Sequence, residues 1–156
     1  MSNDPILRLQ LDTDLGRLAV LEEAVNKILA PVTDLQDGEA VRYNVWLAVH
    51  ELCVNIINHA YEGEPGMIEV AFSLENDGRT LVVRTHDHGL HTFILEDWSP
   101  PDLSEAPIHG LGIFLIRQLM DELDYQTGAD GSYWRLTKQL DRAADTATAA
   151  SAEVAP

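Results

Sequence analysis

The most informative part of the sequence is EAVRYNVWLAVHELCVNIINHAY, residues 39–61. Apolar residues recur in it at spacings of three and four, which predicts an amphipathic helix. They are Val41, Val45, Val49, Leu52, Ile56 and Ala60. A polar stripe runs beside them and consists of Asn44, Glu51, Asn55, Asn58 and Glu62, with the small Ala48 in its gap. A solvated face is one interpretation of this stripe, but asparagine costs roughly half a kcal/mol relative to alanine in a helix, so a functional stripe is the other.

Glu51 and Asn55 lie one helical turn apart on that stripe. An asparagine amide oxygen is a neutral, hard ligand that suits Mg²⁺, an ion that keeps several waters and binds phosphate oxygens. A glutamate one turn earlier can accept a proton from a nucleophilic hydroxyl. The pair therefore indicates chemistry on a metal-bound phosphate.

Two glycine motifs follow downstream. In Asp87-His88-Gly89, strand alternation turns Asp87 to the same side as the apolar Leu81 and Val83. An inward carboxylate is costly unless it is paired, and the amine of a bound base would pair it; a plain turn aspartate is the alternative. In residues 109–113, His-Gly-Leu-Gly-Ile opens a helix, where glycines and free N–H groups can approach a phosphate. Taken alone, Gly-x-Gly is a weak signal.

Periodicity and turn residues predict one domain over residues 1–141. The predicted strands cover 6–11, 67–74, 79–85, 124–127 and 132–140, and the predicted helices cover 14–30, 39–61 and 111–123. The first helix has an apolar stripe of Leu15, Leu18, Leu21, Val25, Ile28 and Leu29. Because hairpins such as the one at Asn76-Asp77-Gly78 dominate, we expect an α+β fold, a two-layer α/β sandwich. Its mostly antiparallel or mixed sheet would carry helices on one face. Residues 88–109 are too long for an ordinary loop and predict a lid, and 142–156 predict a disordered tail.

The chain has 156 residues, with 10 Lys and Arg against 26 Asp and Glu, which gives a formal net charge of −16. This balance argues against a protein that binds nucleic acid directly. A single cysteine, Cys53, excludes an internal disulfide and a cysteine-cluster metal site. Without an apolar leader or membrane-length stretch, we expect a cytoplasmic protein with no membrane contact.

The ordered combination of these motifs resembles the Bergerat-fold ATP-binding superfamily of gyrase, histidine kinases and MutL. The likeness is strongest to its anti-sigma serine-kinase branch, the RsbW and SpoIIAB type. Residues 51–61, ELCVNIINHAY, and 110–122, GLGIFLIRQLMDE, carry it. The resemblance covers about residues 6–140 and implies an ATP-binding fold that uses Mg²⁺.

The resemblance implies a role for each matching residue. Asn55 would bind the Mg²⁺ that bridges the ATP phosphates, and Glu51 would be the general base. Asp87 would bond the adenine amino group, with Gly89 giving the base room. The phosphates would be held by Gly110, Leu111 and Gly112, with Asn58 and His59 nearby, and residues 88–109 would be the ATP lid.

The resemblance further implies a serine protein kinase and anti-sigma factor in a partner-switching system. Its substrate would be a STAS-type anti-anti-sigma protein, its other ligand a sigma factor, and two copies could pair as a homodimer. One position departs from the family pattern, since His91 stands where a second glycine is usual. A catalytically weak or dead binding module is therefore the alternative. Two lesser alternatives are a zinc site at His86, His88 and His91 and a detached histidine-kinase catalytic domain.

Overall fold

The computed structural model describes residues 6–92 and 111–143. The strands and helices follow one another in the order that the sequence predicts. The strands are β1 (Ile6–Asp12), β2 (Met67–Glu75), β3 (Thr80–Asp87), β4 (Glu122–Gly128) and β5 (Gly131–Gln139). The α-helices are α1 (Val20–Leu29), α2 (Gly38–Asn55) and α3 (Leu111–Leu119), with a 3₁₀ helix at Leu15–Ala19 and a π-helix at Ile56–Ala60.

The strands form one sheet in the order β1-β2-β3-β5-β4, and each neighbouring pair is antiparallel. Alternate residues of β2, β3 and β5 point into the core, among them Phe72, Val83 and Leu136. They pack against buried residues of the helices such as Leu21 and Leu52. Residues of opposite parity on the same strands lie on the sheet face that no described helix covers. The predicted α+β two-layer architecture is therefore confirmed.

The turn between β2 and β3 takes the conformation that its sequence predicts. Asn76, Asp77 and Gly78 have φ values of 56°, 56° and 76°. These are the residue types that tolerate positive φ at the least cost, which explains why the hairpin forms here.

The helix predicted at 14–30 forms as two elements, the 3₁₀ helix Leu15–Ala19 and then α1. It begins at the predicted cap, because the Asp14 carboxylate accepts from the Gly16 N–H at 2.9 Å. One member of its predicted apolar stripe is wrong. Leu15 is 49% exposed, whereas Leu18 is buried. Leu15 lies in the first turn, and the helix reaches the core only one turn later.

The predicted end of the third helix is also wrong, because α3 ends at Leu119 and residue 122 already begins β4. At this point the chain forms hydrogen bonds with β5. The Asp121 N–H donates to the Thr137 carbonyl at 2.8 Å, and the Lys138 ammonium caps the helix by donating to the Leu119 carbonyl at 3.0 Å. An apolar residue at 123 fits a helix or a strand equally well, so the sequence pattern alone misplaced the boundary.

Ordered contacts continue two residues past position 141. Arg142 pairs with Asp34 at 2.8 Å, and the Ala143 N–H donates to the Asp34 carbonyl at 2.8 Å. These contacts fasten the chain to the loop before α2. The remaining predicted tail and residues 93–109 of the predicted lid lie outside the described residues. Within the described residues, no helix is both long and apolar enough to cross a membrane.

Candidate functional site

The helix that carries the polar stripe changes its winding just after Asn55. Residues Ile56–Ala60 form a π-helix, in which the Tyr61 N–H reaches back five residues to the Ile56 carbonyl at 3.1 Å. Single π turns are rare and occur often at functional sites. Periodicity at 3.6 residues per turn does not predict such a widening, so the sequence interpretation missed it.

Glu51 and Asn55 both lie on the partly exposed side of α2. The Glu51 side chain is 28% exposed, with the His50 Nδ1 atom 4.0 Å from one carboxylate oxygen. Asn55 faces the start of α3, where a Cβ atom added to Gly112 would lie 3.0 Å from the Asn55 Nδ2 atom. The fold thus brings together two motifs that are far apart in the sequence, and Gly112 makes the close approach possible.

Asp87 is buried at the end of β3, as strand alternation predicted. Its Oδ1 atom accepts from the Gly89 N–H at 3.0 Å, but its Oδ2 atom has no hydrogen-bond partner within the described part of the chain. Burial raises the pKa of Asp87, while the Gly89 bond and the neighbouring His86 and His88 act to lower it. An unpaired buried acceptor is what a ligand amine would satisfy.

The segment after Asp87 lies against the end of the π-helix. A Cβ atom on Gly89 would lie 2.5 Å from the Ala60 Cβ atom, so this position has no room for a side chain. The His91 N–H donates to the Ala60 carbonyl at 3.2 Å, and its ring pairs with Glu62 at 3.1 Å. Gly89 therefore makes room for the helix end, and His91 is fastened to that same end.

These elements surround a cavity of about 360 Å³. Asn55, His59, Asp87 and His91 line it together with apolar groups. The apolar lining residues include Ile56, Ala60, Ile113 and Trp134. An apolar wall with an orphaned carboxylate oxygen matches a flat heterocycle that carries an amino group. A larger hollow of about 590 Å³ lies on the open sheet face and includes none of Glu51, Asn55 or Asp87, so we take the smaller cavity as the site.

Three residues of the cavity wall were missed by the sequence interpretation: Tyr125, Ser132 and Trp134. Ser132 lies directly opposite Asp87 in the pairing of β3 with β5. The Tyr125 hydroxyl donates to the Ser132 Oγ atom at 3.1 Å. Strand alternation places residues 132, 134 and 136 on one side of β5. It does not show that β5 pairs with β3, which lies before the predicted lid in the sequence.

Tyr61 was also missed, although it connects the helix end to the sheet. Its hydroxyl donates to the Met67 carbonyl at 2.6 Å and accepts from the His88 N–H at 2.9 Å. A side chain on Gly66 would collide with its ring. Tyr61 therefore fixes the distance between the polar stripe and the strand that carries Asp87.

The remaining predicted residues are distributed as follows. His59 lines the cavity, whereas Asn58 is exposed and is not among its described lining residues. Gly110 lies outside the described residues. Leu111 begins α3.

The donor groups of the described residues bear on which metal the cavity could hold. Asn55 offers an amide oxygen at the cavity, which fits an ion held mainly by water and phosphate. The zinc alternative finds no support, because residues 6–92 and 111–143 contain no group of three or more His, Cys, Asp or Glu able to hold a metal. His86 and His88 do lie together, with ring centroids 4.5 Å apart, but His91 pairs with Glu62 instead.

Comparison with known proteins connects this geometry to a family. Residues 13–138 match the model of the histidine kinase-like ATPase domain. The serine-protein kinase RsbW of Bacillus mycoides (strain KBAB4) is 30% identical over 101 residues, and that of Bacillus cereus (strain AH187) is 31% identical over 103 residues. Both alignments cover 62% of this chain, and the chain spans 62% of the length of each relative.

A crystal structure of the RsbU and RsbW domains of a Mycobacterium tuberculosis protein is similar in fold, with a TM-score of 0.61 at 21% identity. The match covers 88% of this chain and 33% of that chain. The expected resemblance to RsbW-type proteins is thus confirmed in sequence and in fold. The match over residues 13–138, together with the two-layer fold, shows that the chain belongs to the histidine kinase-like ATPase domain family.

Proposed function

We propose that this protein is a Mg-ATP-dependent serine protein kinase and anti-sigma factor in a partner-switching system. Its substrate would be a STAS-type anti-anti-sigma protein, and a sigma factor would be its alternative ligand. The observation that carries the proposal is the orphaned Asp87 oxygen in a cavity that Asn55 also lines, with Glu51 one turn away. The RsbW relatives support the kinase class.

Asp87 would recognise the base. Its Oδ2 atom is free to accept from the adenine amino group, while the Gly89 N–H holds Oδ1 in place. The wall of Trp134 and Ile113 would cover the faces of the ring. We expect this cavity to bind a ligand with an N–H donor more tightly than one without, because a ligand that lacks the donor leaves the buried carboxylate unpaired.

Asn55 and Glu51 would serve the transfer itself. The Asn55 amide oxygen would hold Mg²⁺, which neutralises phosphate charge when bound. Glu51 would accept the hydroxyl proton of the partner's serine while that oxygen attacks the γ-phosphorus. The bond to the β,γ-bridging oxygen then breaks, and phosphoserine and ADP are the products.

A non-catalytic binding module is the second candidate, and the position of His91 favours it. Where a glycine is usual, this chain has His91. The His91 ring pairs with Glu62, and the residue lines the cavity. A fastened segment at this point would restrict closure over a nucleotide. The two candidates differ in turnover and share the fold.

Calorimetry with Mg-ATP is the deciding experiment. We expect saturable binding of ATP, and phosphoserine on a purified STAS-type partner by mass spectrometry. Absence of binding at millimolar nucleotide would refute the kinase and leave the binding module.

Variants separate the two roles on α2. Glu51→Gln should keep nucleotide binding and lose transfer, whereas Asn55→Ala should weaken binding only when Mg²⁺ is present. Asn44→Ala is a matched control, because Asn44 lies on the same stripe almost two turns before Glu51. Normal phosphorylation by Glu51→Gln would show that the base is a different group.

A further inference from the structure

A second cluster of titratable side chains lies on the opposite face of the sheet from the helices, behind Asp87. Its centre is His86, the residue before Asp87 in β3, whose ring stacks on Tyr133 with centroids 4.2 Å apart and planes within 3°. None of the roles proposed above uses this cluster. It is nevertheless only one residue from the carboxylate that would read the base.

Both ring nitrogens of His86 face hydrogen-bond acceptors. The Nδ1 atom is 3.2 Å from a carboxylate oxygen of Glu69, and the Nε2 atom is 2.6 Å from the backbone carbonyl of Asp130. A carboxylate and a carbonyl can only accept, and a neutral imidazole carries a single N–H. Only the doubly protonated ring satisfies both partners at once.

The electrostatic surroundings agree with this geometry. Partial burial by itself would lower the pKa of His86, but the Asp130 carbonyl and the Glu69 carboxylate outweigh it and raise that pKa above its ordinary value. The charged or titratable groups near the ring are Glu69 from β2, Asp87 at the end of β3, His88 just after that strand, and Tyr133 from β5. Asp130 contributes its carbonyl from the β4–β5 turn.

The bond to Asp130 fastens the β4–β5 turn to the end of β3. The next residue, Gly131, has φ of 112° and packs so closely on the Asp87 carbonyl that a side chain would collide with it. Ser132 follows, opposite Asp87 and in the cavity wall. The position of the turn therefore sets where the far wall of the cavity lies relative to Asp87.

We propose that His86, held as an imidazolium between Glu69 and Asp130, is a positioning residue that clasps the β4–β5 turn to β3 and so fixes Ser132 opposite Asp87. The link to nucleotide binding rests on the proposed function. The clasp itself is a property of the protein alone.

Deprotonation weakens this clasp in a definite direction. A neutral ring has one N–H to share, and the negative Glu69 competes for it more strongly than the neutral carbonyl does. The Nε2 lone pair then faces the Asp130 carbonyl, and the turn is released. Because the folded-state pKa is raised, the stability contributed by His86 is present at low pH and lost as the pH rises through that pKa.

Nuclear magnetic resonance on the ligand-free protein tests the clasp directly. We expect His86 to titrate above the ordinary pKa of a histidine, and the amide signals of Gly131 and Ser132 to move with the His86 pKa. Glu69→Gln should lower that pKa while leaving the Asp130 contact in place. The proposal would be overturned if the pKa of His86 were at or below that of an ordinary histidine. It would also be overturned if the Ser132 amide signal did not change as His86 titrates.

Nucleotide affinity provides the second readout. Between pH 6 and pH 8.5, Mg-ATP affinity should fall about three- to tenfold, as expected for loss of roughly one hydrogen bond. His86→Gln should flatten this pH profile, and the control His88→Gln should keep it. An unchanged slope in a folded His86→Gln protein would contradict the link to the cavity. If no nucleotide binds at all, the proposed function fails, and the ligand-free titration still decides the clasp.

Discussion

Replacing Asp87 with asparagine should stabilise the ligand-free protein while it impairs nucleotide binding. The carboxylate is buried and only one of its oxygens is bonded within the described residues, to the Gly89 N–H. Asparagine keeps an oxygen for that bond and removes the negative charge. The predicted gain arises because, under the proposed function, the unpartnered oxygen of Asp87 serves a ligand and not the ligand-free fold.

The size of the gain follows from the cost of an unsatisfied buried group. Such a group costs about 1–3 kcal/mol, and a charged one costs more. The new amide N–H group also lacks a partner, so only part of this cost is recovered. We therefore expect about 1 kcal/mol of added stability, which in a domain of this size raises the melting temperature by about 2–4 °C.

The pH dependence makes the reasoning specific to ionisation. Burial raises the pKa of Asp87, so its contribution to stability is fully present below the pKa of the unfolded chain and is lost as pH rises through the folded-state value. The stability advantage of Asp87→Asn over wild type should thus be smallest at acid pH and should grow as the pH rises through the folded-state pKa of Asp87.

Urea unfolding of the ligand-free proteins at several pH values measures this difference. Asp77→Asn is the matched control, since Asp77 is exposed in a turn whose positive φ asparagine also tolerates. A variant Asp87→Asn that is less stable than wild type at pH 7, or a difference that does not change with pH, would show that Asp87 is satisfied in the folded protein. Calorimetry should show at least a tenfold loss of ATP affinity, or about 1.4 kcal/mol.

Three further substitutions test separate contacts. Thr85→Val removes a buried hydroxyl that has no partner in the described residues, so urea unfolding should show a change between zero and about 1 kcal/mol of added stability. Gly112→Ala places a Cβ atom 3.0 Å from the Asn55 amide and should weaken Mg-ATP binding by calorimetry with little change in melting temperature. Arg142→Gln breaks a half-buried ion pair with Asp34, and thermal unfolding should show a loss of about 0.5–1 kcal/mol. An Arg142→Gln protein as stable as wild type would show that the C-terminal contact is incidental.

Much of the fold was predictable because local signals agreed with each other. Strand alternation placed Asp87 inward, and the turn residues at 76–78 placed the hairpin that leads to it. The polar stripe predicted Glu51 and Asn55 as candidate site residues, because asparagine is less favourable in a helix than the residues that usually cover a solvated face. Each of these inferences uses residues close together in the sequence.

The features that were missed depend on contacts between distant residues. Ser132 belongs to the site only because β5 pairs with β3, and the α3 boundary shifts because β5 captures Asp121. The π-helix widens where the segment around Gly89 packs on its end. The periodicity of one sequence does not show which distant segments pair. The sequence therefore predicted candidate polar residues but not the β5 residues that line the cavity beside them.

The distribution of lysine, arginine and histidine along the sequence bears on how the proposed site would neutralise a triphosphate. The stretches 43–78 and 85–116 contain no Lys or Arg, yet all six histidines of the chain lie in them. The described residues that line the cavity also include no lysine or arginine, so a triphosphate bound there would meet imidazoles and the Asn55 amide where many phosphate sites present a fixed cation. Neutralisation of the phosphates would then fall mainly to the Mg²⁺ that Asn55 is proposed to hold. Binding of ATP should accordingly depend on the metal more steeply here than in a site with fixed cations, because a histidine carries its charge only while it is protonated.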